Sequence, residues 1–72
     1  MSVENIFGER VKTLRAASKL TQQQLGELVG LSKQAINDIE KGRRGTLVFK
    51  AVMIARHLNT TVEYLCGMSD LP

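Results

Sequence analysis

Lys33, Gln34, Asn37, Asp38 and Lys41 are the residues of this chain whose types and spacing point to chemistry. On a helix advancing about 100° per residue they share one face, with Ile36 and Ile39 on the other. A primary amide presents a donor and an acceptor side by side, so Gln34 and Asn37 can each pair with adenine. The Lys33 ammonium can donate to the acceptors of guanine. Asp38 is the awkward member, because a carboxylate is repelled by phosphates. It can accept from cytosine N4 or pair with Lys41 or Arg43. These are groups for reading a polar surface, not for breaking bonds.

Catalytic groupings are missing from the sequence. No Ser, His and acid stand in an arrangement that suggests a nucleophile, and no glycine loop fits a phosphate cradle. His57, the only histidine, has no Cys or carboxylate at ligand spacing. Cys66, the only cysteine, can form no intramolecular disulfide and has no basic neighbour to activate it. The expectation is a chain that is not an enzyme and uses neither cofactor nor metal.

The charge pattern favours an anionic partner. The formal net charge is +3 and the pI about 9.4. Lys33, Lys41, Arg43, Arg44 and Lys50 fall in one segment opposed only by Asp38 and Glu40, and Arg10, Lys12, Arg15 and Lys19 form a second group.

The elements that must hold these residues are helices. Phe7, Val11 and Leu14 recur at helical spacing and predict a first helix over 5–17. Thr21 and Gln24 have the spacing of a capping box for a second helix whose buried stripe is Leu25, Leu28 and Val29, ended by Gly30. Ser32 caps a third helix with Ala35, Ile36 and Ile39 inside, and Gly42 stops it. Val48, Ala51, Val52, Ile54, Ala55 and Leu58 mark a fourth helix starting near Thr46 or Leu47, and Thr61 caps a brief fifth. The fold expected is all-α, five helices in a single domain over 1–72, with no competing strand pattern.

Residues 21–41 also satisfy the steric demands of two helices meeting steeply across a short turn. Gly26, in mid-helix, costs about 1 kcal/mol relative to alanine, a cost offset if a larger side chain would collide with the third helix. Gly26→Leu should force the helices apart, whereas Gly26→Ala is expected to be neutral or stabilising. Gln22 lies in the first turn of the second helix, whose free N–H groups can hold a phosphate. Its side chain can reach that phosphate or brace Gln34.

"TQQQLGELVGLSKQAINDIEKG", residues 21–42, resembles the helix-turn-helix of the Cro and C1 repressor family (XRE type) of temperate phages and bacterial regulators. The similarity extends from "FGERVKTLR" through "IARHLNTTVEYLCG". It implies a compact lambda-repressor-like domain, and a sequence-specific transcriptional regulator that binds double-stranded DNA. The family's mode is a repressor dimer on a two-fold operator, with the third helix in the major groove. Carried over residue by residue, it implies that Gln22 contacts phosphate. Ser32, Lys33, Gln34, Asn37 and Asp38 would face base edges or their flanking phosphates, and Lys41, Arg43 and Arg44 would touch the backbone. It further implies a structural ion pair between Arg15 and Glu40.

Two positions depart from the family's pattern. Leu47 stands where a small polar cap is usual, and Phe49 where a charged residue is common. Phe49 and Met53 lie one turn apart, on a face the core does not need. A slightly shifted helix would bury them. Otherwise they form the surface of a homodimer weak in solution, or the seat of a protein partner. The alternative function is thus an antitoxin-like module that binds another protein and regulates itself through DNA. The start "MSVENIF" has no basic region or apolar run, so a cytoplasmic protein with no membrane association is expected. The ending "YLCGMSDLP" resembles the point where many such repressors pass into a linker and second domain.

Overall fold

Residues 1–71 are described by a computed structural model. They form α1 (Val3–Ala17), α2 (Gln22–Val29), α3 (Lys33–Glu40), α4 (Val48–His57) and α5 (Val62–Leu65). Each helix start except one has a local cause. The hydroxyls of Ser2, Thr21, Ser32 and Thr61 accept the N–H of Asn5, Gln24, Ala35 and Tyr64, satisfying donors that the first helical turn leaves unpaired. Thr21 and Gln24 complete a reciprocal capping box. Because Ser2 is the cap, α1 begins two residues earlier than the apolar spacing alone indicates. The exception is α4, whose cap residue Leu47 offers no side-chain hydrogen bond.

One apolar cluster joins all five helices. Phe7 and Val11 from α1, Leu25 and Val29 from α2, Ile36 and Ile39 from α3, and Ala51, Ile54 and Ala55 from α4 meet Leu58 and Leu65. Helix α3 packs on both α1 and α2, and α4 and α5 close the opposite side. Arg10 fastens the end of the described chain to α1. Its Nη1 donates to the carbonyls of Tyr64 at 2.6 Å and Ser69 at 2.9 Å, and its guanidinium lies 4.2 Å from the Tyr64 ring centroid.

The helix crossings are close enough to exclude a methyl group at two places. A Cβ on Gly26 would overlap the main-chain carbonyl oxygen of Leu31, just before α3. One on Gly8 would overlap the carbonyl oxygens of Ile39 and Glu40, at the end of α3. Thus α3 is pressed against α1 at one end and α2 at the other. The turn between α2 and α3 is made by Gly30 at φ +73°.

Three expectations are corrected. Leu28 is 44% exposed and Val48 78% exposed, so neither belongs to the core that periodicity assigns them to. Gly26→Ala is not neutral, since the atom it meets is backbone and cannot swing away. Helix propensity alone favours that substitution by about 1 kcal/mol. The overlap should reverse the sign, giving a net loss of about 1–3 kcal/mol, the range for overpacking a fitted interior. Urea denaturation of Gly26→Ala checks this through a lower midpoint at unchanged slope.

Candidate nucleic-acid interface

The candidate interface is built on a charge pair beneath it. Arg15, near the end of α1, donates from Nε to Glu40 Oε2 at 2.6 Å and from Nη2 to Glu40 Oε1 at 3.1 Å. Its Nη1 donates to the Leu20 carbonyl at 2.7 Å, so the guanidinium also fixes the chain entering α2. The Glu40 side chain is 2% exposed and that of Arg15 14%. Two charges this deeply buried are tolerated only when their polar atoms have partners, and here every nitrogen and oxygen of the two charged groups has one.

Gln22 extends this network outward. Its Nε2 lies 3.1 Å from Glu40 Oε1 and 3.2 Å from Asn37 Oδ1, joining the start of α2 to the middle and end of α3. The Gln22 side chain therefore braces Asn37, not Gln34. Gln34 instead donates from Nε2 to Asp38 Oδ1 at 3.1 Å, one helical turn along α3. The same Asp38 oxygen is 3.5 Å from Arg43 Nη1, which satisfies the acid within the protein.

Four of the five residues of the polar face lie on α3 outside its buried stripe, and Lys41 caps its end. Lys33, Gln34 and Lys41 are exposed, Asn37 and Asp38 half-buried, and Ala35, Ile36 and Ile39 lie inside. The Ser32 hydroxyl oxygen is committed to its cap on Ala35 N–H, so its own O–H is what it can offer outward. Arg43 and Arg44 stand exposed in the loop after α3. Among the described residues Lys33, Lys41 and Arg44 form no ion pair. A rigid face of amides, rimmed by unpaired cations, can engage polar edges with its centre and an anionic backbone with its rim.

A helix-turn-helix family model matches residues 11–65. The chain belongs to that family. Among similar helix-turn-helix proteins is the Bacillus subtilis YobD, described as an uncharacterized HTH-type transcriptional regulator. It is 33% identical over 67 residues, spanning 93% of this chain. This chain spans only 60% of that protein's length. The control protein C.SmaI of Serratia marcescens is 32% identical over 71 residues, covering 99% of this chain and 84% of its own. A solved structure, the restriction-modification controller protein C.AhdI of Aeromonas hydrophila, superposes with a TM-score of 0.79 at 29% identity. It covers 86% of this chain and 94% of its own.

Lys50, in the sequence one basic residue among several, belongs to the helix-turn-helix frame. Its Nζ donates to the Val29 carbonyl at 2.6 Å, satisfying an acceptor that the end of α2 leaves open and tying α4 to the turn. A lysine in the first turn of α4 gives no hint of a partner lying 21 residues earlier. Phe49 is 59% exposed, whereas Met53 is half-buried against the core, so the two do not form one free face. His57 is on the helix surface, and no group of three His, Cys, Asp or Glu among the described residues could hold a metal. No described helix is long and apolar enough to cross a membrane.

The buried pair carries a stability prediction. Glu40→Ala leaves Arg15 buried without its partner, which should cost about 3–5 kcal/mol. That is a large part of what a small domain has, and urea denaturation followed by circular dichroism should find the variant mostly unfolded at 37 °C.

Proposed function

We propose that the chain is a sequence-specific regulator of transcription that binds duplex DNA as a two-fold dimer and acts by repression. Its third helix enters the major groove. The observation that carries this reading is the face of α3, where Lys33, Gln34 and Asn37 stand outward on a helix locked from behind by the Arg15–Glu40 pair. Such a locked helix loses little freedom on binding, so its donors and acceptors keep a fixed register against base edges.

The phosphate contacts follow from the same geometry. Thr21 takes the Gln24 N–H, which leaves the main-chain N–H groups of Gln22 and Gln23 open at the start of α2 for one phosphate oxygen. Lys41, Arg43 and Arg44 neutralise phosphates on the flank. Arg43 must exchange Asp38 for the backbone, and its exposed position makes that exchange cheap. Each phosphate contact steepens the fall of log affinity with log salt by about 0.9. Arg43→Ala should therefore weaken binding to all duplexes alike and make the slope shallower by about that amount. A titration between low and moderate salt measures it, and an unchanged slope would remove Arg43 from the backbone contacts.

Pairing is supported by the surface at the start of α4. Leu47 is 65% exposed, Val48 78% and Phe49 59%, three consecutive apolar residues facing solvent. A groove of about 250 Å³ lies beside them, lined by Val3, Phe7, Val48 and Ala51. An exposed apolar cluster of this kind on a small protein marks a contact surface. One α3 reads only a few base pairs, and two-fold pairing sets two recognition helices one DNA turn apart. Phe49→Glu brings like charges together across the axis. It should abolish cooperative binding to a full operator while half-site affinity and helix content stay as in the parent protein. Binding to full and half operators measures this. Equal losses on both, with lost helix, would place Phe49 in the core instead.

A further inference from the structure

The buried ion pair dictates which atoms of Asn37 face outward. A carboxylate can only accept hydrogen bonds, so Glu40 Oε1 requires a donor from Gln22. The Gln22 amide must therefore turn its Nε2 inward, where it lies 3.1 Å from Glu40 Oε1. The same Nε2 is 3.2 Å from Asn37, and a donor there demands that Asn37 present its Oδ1. The two amide orientations are thus fixed by chemistry, working outward from Arg15. What remains to Asn37 is its Nδ2, carrying two N–H groups. That nitrogen makes no hydrogen bond within the described residues and is not buried. Gln34 differs. One of its N–H groups goes to Asp38, which leaves an acceptor and a donor both free.

We propose that Asn37 is a donor-only reader that selects guanine and rejects adenine at one base pair of the operator. The inference rests on the DNA-binding function above and specifies its substrate. In the major groove guanine shows two adjacent acceptors, N7 and O6, which two N–H groups on one nitrogen can bridge. Adenine shows N7 beside an amino group, and that amino group would meet the Asn37 donor head-on. An unconstrained asparagine turns its oxygen to adenine N6 and pairs bidentately. Asn37 is held from doing so by Gln22, which makes Gln22 a positioning residue for base choice in addition to any phosphate it touches through its main chain.

The test is selection of bound sequences from a random duplex pool by the whole chain, followed by binding to the best site with each guanine replaced by adenine. The parent protein should show one guanine at which adenine costs about tenfold in affinity. Gln22→Met keeps the side chain's length but removes the donor, freeing Asn37 to rotate. The penalty at that one pair should shrink to less than about threefold, with preferences elsewhere retained. Asn37→Asp keeps the shape, still accepts from Gln22, and turns an acceptor outward, so the guanine preference should vanish at the same pair. Circular dichroism on both variants establishes that helix content is preserved. If Gln22→Met leaves every base preference unchanged, or Asn37→Asp weakens all sequences equally, Asn37 is a backbone contact and the inference is overturned. Failure of the parent protein to enrich any sequence would overturn the DNA-binding function itself.

Discussion

The contact on which the rest of this structure depends is the buried pair between Arg15 and Glu40. It joins α1 to the end of α3, and through the Leu20 carbonyl it also sets where α2 begins. Three of the five helices are thereby referred to one guanidinium group. In a chain of 72 residues, with no tryptophan and two phenylalanines, apolar burial leaves little surplus. A pair whose buried nitrogens and oxygens all have partners adds little net stability over an apolar substitute, but it defines one geometry, because any other arrangement strands a charge.

Steric closeness supplies the second constraint. Gly8 and Gly26 let α3 sit against main-chain atoms of α1 and α2, and the capped turn at Gly30 and Ser32 directs it. Lys50 then pins α4 to the turn from the far side. The outward face of α3 inherits this rigidity, so the polar side chains borne there act as a pattern fixed in space. The network running from Arg15 to Glu40, Gln22 and Asn37 carries that order from the core to the surface in hydrogen-bond polarity as well as in position.

Much of this was legible in the sequence, for reasons that differ by element. Caps at Thr21, Ser32 and Thr61 are local events, written in residues three apart, and apolar spacing placed all five helices. Family resemblance supplied the fold and pointed to Arg15 with Glu40. Burial was less legible. Periodicity tells which face of a helix is apolar, but whether a neighbour covers it depends on the other helices. Five short helices cannot cover Leu28 and Val48, which stay open to solvent. Gly26 was readable as a close approach, yet the atom approached, the Leu31 carbonyl oxygen, follows only from the crossing geometry. The partnership of Gln22 with Asn37 was hidden for the same reason. Fifteen residues separate them, and the angle between α2 and α3 decides that Gln22 meets Asn37 and not Gln34.

The buried pair orders the outward face of α3 and is not mainly a source of stability. Replacing both members together, Arg15→Met with Glu40→Met, separates those roles, because apolar residues of similar volume often substitute for a buried pair at no cost in stability. The decisive measurement is base discrimination by this double variant, in competition between its best site and single-base substitutions of it, once circular dichroism has established native helix content. A folded protein that still binds duplex DNA but has lost its guanine-over-adenine preference is expected, since nothing then fixes which way the Gln22 and Asn37 amides turn. A folded double variant that discriminates as sharply as the parent would contradict it.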